Sequence, residues 1–248
     1  MNIAPNTQSL NIPISILTDS VDEDNETITV TLTSATNATI ARAAGTLTIQ
    51  DDDNQPSIVF NNFTANSESD GTIAVPVSLT APTSRTVTAN YETKSGTAVA
   101  GNDFAYQTGT ITFQPNQSTT SFDLSLIDDQ LKENTEQFTI DITSVSNATA
   151  PSSNPTVTIP DNDQLSISVS DNLTIASEGV GTHGITVSLS NASVDNVTVD
   201  YTTNNISASG ADYSISGGGT LTFPAGTTTQ TLTVTVVDDS SNEGPETF

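Results

Sequence analysis

The same acidic string occurs three times in this chain, 110 residues apart each time. The middle copy is Asp128-Asp129-x3-Glu133-x2-Glu136, the upstream copy Thr18-Asp19-x3-Glu23-x2-Glu26 and the downstream copy Asp238-Asp239-x3-Glu243-x2-Glu246. A period of this length constrains architecture before any local propensity does, because each repeat is one folded unit and the chain a series of them. The 248 residues then divide into the C-terminal half of a repeat (1–53), one complete repeat (54–163) and the N-terminal part of a third (164–248). The junctions Asp53-Asn-Gln-Pro56 and Asp163-Gln164 are short, so successive units are expected end to end with limited freedom. The two partial units are complementary but separated by a whole one, and are expected to fray or to associate head to tail.

Within the complete repeat, period-two patterning and regular turn signals place seven strands. They run roughly over 57–60, 72–79, 86–93, 109–113, 121–127, 137–143 and 156–159. Val75, Val77 and Leu79 share one face of the second; Val87, Ala89 and Tyr91 share one of the third; Phe122, Leu124 and Leu126 line the fifth, and Phe138, Ile140 and Ile142 the sixth. One apolar face per strand is the pattern of two antiparallel sheets packed together. The fold class is therefore all-β: tandem immunoglobulin-like sandwiches of about seven strands each. The first segment offers Leu10, Ile12, Ile14 and Ile16 as a strand, then Thr27–Leu32 and Thr46–Ile49. The third restarts with Leu165–Val169, Ile185–Leu189, Val197–Tyr201, Leu221–Phe223 and Leu232–Val236.

Strand parity sorts the acids. In an up-and-down traverse, loops 1–2, 3–4 and 5–6 share one end with the exit of strand 7. In the complete repeat that end holds Glu68, Asp70, Asp103, Asp128, Asp129, Glu133, Glu136, Asp161 and Asp163. The opposite loops, 80–85, 114–120 and 144–155, hold none. The third repeat adds Glu178, Asp212, Asp238, Asp239, Glu243 and Glu246 at the same end; the first adds Asp19, Glu23, Glu26, Asp51, Asp52 and Asp53. Leaving out Asp70, these positions take 20 of the 29 acids, a segregation that solvation alone does not produce. Like charges at such density raise their own pKa values or recruit a counter-ion. Hard oxygen donors without Cys or clustered His favour calcium, which accepts 6–8 oxygens in flexible geometry, over zinc, copper or the stricter magnesium. With 29 acids against 4 bases, a net charge of -25, nucleic acid and anionic membranes are poor partners.

The ordered set Tyr91-x-Thr93, Gly101-Asn-Asp103-Phe104, Gly109-Thr-x-x-Phe113-x-Pro115, the acidic string and Asp161-Asn-Asp163 resembles the Calx-beta domain. The third repeat shows it again as Tyr201-x-Thr203, Gly210-Ala-Asp212-Tyr213, Gly219-Thr-x-x-Phe223 and its own acidic string. The resemblance implies immunoglobulin-like sandwiches of the kind found in sodium–calcium exchanger regulatory loops, integrin β4 and large extracellular bacterial repeat proteins. It implies calcium ligands at Glu68, Asp103, Asp128, Asp129, Glu133, Glu136, Asp161 and Asp163. Three positions depart from the pattern: Asn162 stands inside the terminal cluster, Lys132 intrudes in the acidic loop, and Thr18 replaces the first Asp upstream.

No catalytic constellation accompanies these acids. His183 is the one histidine, in Gly-Thr-His-Gly, and reads as a turn residue without a nucleophile to serve. Acid pairs alone suggest a glycosidase, but their loops lack aromatic sugar platforms. The chain reads as a non-enzymatic, calcium-binding segment of an extracellular or cell-surface protein, a stalk, spacer or adhesion module whose junctions calcium stiffens. Its expected partners are calcium ions, its neighbouring repeats and a cell-surface or matrix ligand, with no membrane insertion in this segment. The competing readings are a calcium-sensing regulatory module of a transporter or enzyme, and a metal-free adhesion sandwich.

Overall fold

The computed structural model describes residues 3–170, 174, 175, 179, 181–240 and 244–247. Its centre is a two-sheet sandwich between residues 58 and 159. One sheet takes β3 (Ile58–Val59), β5 (Thr72–Leu79) and β8 (Thr119–Ser125). The other takes, in spatial order, β4 (Phe63–Thr64), β10 (Thr156–Ile159), β9 (Glu136–Ser146), β6 (Val87–Ser95) and β7 (Thr108–Phe113). The expected first strand, 57–60, is shortened to β3, which pairs with β5 in one sheet, and a further strand beyond it, β4, pairs in parallel with β10 in the other. One short segment thus supplies an edge strand to each sheet, and two residues are too few to show a periodic pattern.

Alternation does what parity requires. Val75, Val77 and Leu79 of β5 point inward against Val87, Ala89 and Tyr91 of β6, Ile111 and Phe113 of β7, and Phe138 and Ile140 of β9, all buried in one cluster. Phe104 stacks on Phe138 at 3.9 Å between ring centroids, anchoring the Gly-x-Asp loop to the core. Tyr91 lies against Gly109, where a Cβ would meet its ring at 2.8 Å, so that any larger residue would push the tyrosine away.

The flanking segments are thinner. In the first, β1 (Glu26–Thr31) and β2 (Ala44–Ile49) form a single antiparallel hairpin. Residues 10–16 form no strand, contrary to their alternation; Leu10, Ile12, Ile14 and Ile16 stay 39–46% exposed, because the described residues offer them no facing sheet. No residue of 3–53 joins a buried hydrophobic cluster. In the third, β11 (Ile167–Val169), β12 (Thr182–Leu189), β16 (Thr229–Val236) and β14 (Tyr213–Ile215) make one sheet, and β13 (Val197–Asp200) with β15 (Thr220–Phe223) the facing pair. Strand β14 was not foreseen. His183 is not in a turn: Gly181, at φ +82°, makes the bend, and His183 lies in β12 opposite Val234. Among the described residues, no helix is long and apolar enough to cross a membrane.

Candidate metal centre

The acidic end of the central sandwich is assembled by hydrogen bonds between its loops. The loop between β4 and β5 contains one 3-10 turn, Glu68–Asp70, and Glu68 N donates to Pro160 O at 3.0 Å where the chain leaves β10. Leu126 N donates to Gly71 O and Ile127 N to Asp103 O, bringing the acidic loop against both neighbours. Gly101, at φ +96°, turns the Gly-x-Asp loop so that Asp103 Oδ2 accepts from Val99 N at 2.6 Å. Few side chains but glycine adopt that backbone.

Two carboxylate triads result. Glu68, Asp161 and Asp163 each present an oxygen within 4.8 Å of the others, and so do Asp103, Glu133 and Glu136. Glu68 is only 3% exposed, Asp103 7%. Burial lifts the Glu68 carboxyl to about 7, helped by the charges of Asp163, Asp129 and Glu133 and tempered by the Asn162 backbone amide. Burial likewise lifts Glu136 to about 7, with the charge and hydrogen bond of Asp103 adding to it. Glu133 is raised too, by burial first and then by Asp103, Asp129 and Asp163, with Lys132 opposing. Because Glu133 feels members of both triads, the two act as one electrostatic site.

Glu68 Oε1 and Asp163 Oδ2 are buried and accept no hydrogen bond. A buried carboxylate oxygen without a donor is costly, and a cation between the three carboxylates would satisfy it. The donor set is all oxygen, with no sulfur or imidazole, and fits a hard divalent ion. Lys132 Nζ already forms an ion pair with Asp161 Oδ2 and donates to Glu133 O at 3.1 Å.

The other expected ligands are placed differently. Asp128 and Asp129 are exposed at the rim. Asp128 Oδ1 accepts from Asn162 Nδ2 at 3.2 Å, and Asp129 Oδ1 caps the loop through Leu131 N at 2.6 Å. In the first segment Asp19 makes the same cap to Val21 N at 2.9 Å, and Asp19, Glu23, Glu26 and Asp51 to Asp53 line one shallow depression. Burial and mutual repulsion raise Glu23 and Asp53, but no buried carboxylate completes a triad there among the described residues. In the third, Asp212 Oδ2 accepts from Ser209 N at 2.5 Å, which holds its carboxyl low, and Glu246 lies beside it as Glu136 lies beside Asp103. Asp238 and Asp239 are exposed; Glu178 and Glu243 fall outside the described residues.

The sequence reading missed the contacts between units. Asp22, 3% exposed, sits against the loop after β5: Thr83 Oγ1 lies 2.8 Å from its Oδ2, Ser84 N donates to its carbonyl, and Arg85 Nη1 is 3.2 Å from its Oδ1. Arg85 also pairs with Asp24 at 2.9 Å and donates to Glu23 O. One repeat later, Lys132 N donates to Ala192 O and Val194 N to Lys132 O, both at 2.9 Å, while Asn134 Nδ2 donates to Asp195 Oδ2 at 3.0 Å. Asp22 bridges Thr83 and Lys132 bridges Ser193 in the same parallel fashion. The joint is itself a repeated structure.

The family model described as "Calx-beta domain" matches three times, over residues 3–53, 51–163 and 160–248. The chain belongs to the Calx-beta domain family. Among curated proteins it is similar to sodium/calcium exchanger 1 of Canis lupus familiaris, 28% identical over 184 residues covering 66% of this chain and 19% of that one. It is similar to sodium/calcium exchanger 2 of Homo sapiens at 30% over 178 residues, 64% of this chain and 19% of the relative. The Calx-beta repeats here thus match about a fifth of the exchangers' length. Among solved structures, the apo-form Calx CBD1 domain aligns at 30% identity and TM-score 0.42, covering 44% of this chain and all of that one. The calcium binding domain CBD12 of CALX1.1 aligns at 27% and 0.41, covering 73% and 76%.

Proposed function

We propose that the chain is a calcium-binding segment of a tandem-repeat protein, with its complete ion site at the acidic end of the 54–163 repeat. The supporting observation is Glu68: a buried carboxylate with an unpartnered oxygen, facing Asp161 and Asp163. That calcium appears in the descriptions of the exchangers and of CBD12 agrees with this reading. Glu68, Asp161 and Asp163 would hold one ion, and Asp103, Glu133 and Glu136 a second, with Asp128 and Asp129 closing the rim. The ion supplies positive charge and nothing else; this is binding, not catalysis. Burial holds Glu68 and Glu136 protonated up to about pH 7, and ion binding would release those protons to solvent.

The site lies beside the loop that contacts the next repeat, so ion binding stiffens the junction and suits a stalk, spacer or adhesion segment outside the cell. The likeness to exchangers favours a second reading, a regulatory module attached to a transporter. Thermal melting of the whole chain tests the binding itself: calcium at a hundred times its dissociation constant adds about 2.7 kcal/mol to the central unit. An unchanged melt between chelator and millimolar calcium sinks the proposal. X-ray scattering separates the two settings, since a regulator changes shape over micromolar calcium and a stalk saturates near millimolar.

A further inference from the structure

The third repeat is open where the central one is closed. In the central sandwich β6 is flanked by β7 on one edge and by β9 on the other. Its counterpart β13 pairs with β15 as β6 does with β7, Val199 standing opposite Leu221 as Ala89 stands opposite Ile111. The other edge of β13 carries no strand among the described residues, and β13 stops at Asp200 whereas β6 runs on to Ser95. Val199 and Tyr201 are only half-buried, where Ala89 and Tyr91 are buried. An apolar cavity of about 600 Å³ lies in front of them, lined also by Val187, Leu221 and Leu232. Thr247 marks where its entrance begins: the Thr247 carbonyl accepts from Ala208 N as that of Gln137 accepts from Ala98 N, both at 3.0 Å. The open stretch is therefore the place that β9 fills from Phe138 onward.

The first repeat carries the matching piece. Strands β1 and β2 are the counterparts of β9 and β10, 110 residues earlier, and they pair in the same register. Ile28 stands opposite Leu47 as Phe138 does opposite Val157, and Glu26 opposite Ile49 as Glu136 does opposite Ile159. Phe138, Ile140, Val157 and Ile159 are buried; Ile28, Val30 and Ile49 are half-buried, and Leu32 and Leu47 exposed. Residues 9–15 correspond to β8, a place that β16 already fills in the third repeat, and they form no strand that would have to be broken. The hairpin does not reach the open face of its own chain. Asp22 bridges Thr83 in the loop after β5, Lys132 bridges Ser193 from the acidic loop, and these two loops lie at opposite ends of the central sandwich.

We propose that the β1–β2 hairpin of one copy of this chain closes the third repeat of a second copy. Strand β1 adds to the free edge of β13 with Val30 opposite Thr203 and Leu32 opposite Tyr201, as Ile140 is opposite Thr93 and Ile142 opposite Tyr91. Backbone hydrogen bonds along the edge set the register, and burial of Ile28, Val30, Leu32, Leu47 and Ile49 in the cavity drives the contact. Each copy offers one hairpin and one open face, two different surfaces, so copies join in a row. The inference does not depend on calcium.

The test uses the full chain in about 1 M salt, where a Debye length of ~3 Å screens the acidic ends from one another. Light scattering should show a mass that climbs past about twofold with concentration, as an open row of copies does. Val30→Asp spoils the hairpin and Val199→Asp the open face. Each alone should associate roughly a hundredfold more weakly than the parent, because a charge enters an apolar contact. Mixed, the two variants keep one sound hairpin and one sound face between them, and should form one-to-one pairs that grow no further. A mixture of Thr29→Cys and Asn204→Cys copies checks the register, since these positions match Thr139 and Lys94, which stand opposite one another. The chain has no native cysteine, and directly opposed residues lie within disulfide reach, so oxidation should give the crosslinked pair. A parent that stays monomeric, a Val30→Asp variant that associates as the parent does, or a mixture without pairs overturns the proposal. A Thr29→Cys, Asn204→Cys double variant that crosslinks within single chains also overturns it, and gives the open face to the chain's own hairpin.

Discussion

The first and central repeats carry the same string of carboxylates and differ in what surrounds it. In the central repeat, the loop after β4 and the Gly-x-Asp loop supply Glu68 and Asp103 from a packed sandwich, and their burial turns surface acids into two triads. In the first, Asp19, Glu23, Glu26 and Asp51 to Asp53 stand on a lone hairpin with no core beneath them. Charge density alone gives a solvated acidic surface. A site needs walls that keep water from satisfying the oxygens.

Removing a wall has the largest effect. Glu68→Gln in the full chain should remove the first triad's share of the calcium-induced rise in melting temperature, a loss of about 2.7 kcal/mol at a hundredfold excess over that site's dissociation constant. In chelator at pH 8 the same substitution should stabilise the central repeat by roughly 1–3 kcal/mol, because a neutral amide avoids the buried charge. A variant that keeps the calcium shift would show that Glu68 is no wall at all.

Proton linkage sharpens the contrast. Glu68 and Glu136 hold protons up to about pH 7 when folded, against 4.5 for an ordinary glutamate. Between those values the folded state binds more protons than the unfolded one, so ion-free stability falls as pH rises from about 4.5 through 7. Melts in chelator across that range should decline, and excess calcium should flatten or reverse the decline at its upper end. A profile that rises steadily in chelator contradicts the burial of these two groups.

The joints come next. Arg85→Met leaves Asp22 buried without its cation, a loss the first joint relieves by opening. The Ser84 amide, bonded across the joint to Asp22 O, should then exchange with solvent roughly tenfold faster, about 1.4 kcal/mol, while Val194 at the second joint is unchanged. Equal protection at Ser84 would mean the ion pair does not hold the units together. The smallest effect belongs to the unwalled acids: replacing Asp51, Asp52 and Asp53 by Asn should move stability by no more than about 0.5 kcal/mol and leave calcium uptake by the central repeat intact.

Much of this was legible in the sequence, and the misses share a cause. Alternation located β5, β6 and β9 because each buries one face in a complete core. It over-read residues 10–16, where the same pattern has no facing sheet, and overlooked β4 and β14, two and three residues long. Strand parity places these acids at one end, but which of them are buried depends on the 3-10 turn at Glu68 and the glycine bend before Asp103. The joints were invisible to any reading of one repeat at a time. Their only trace was the exchange of sign between Asp22 and Lys132 and between Arg85 and Asp195, which gains meaning when the repeats are laid over one another.

The most direct test of the central claim is an isothermal calcium titration of the full chain beside a Glu68→Gln, Glu136→Gln double variant, which removes one carboxylate from each triad. The walled-site account predicts saturable uptake by the parent and its loss in the variant, although the variant keeps every acid of the first repeat. Equal uptake by both would contradict it, and would place whatever calcium binds on the exposed acids instead.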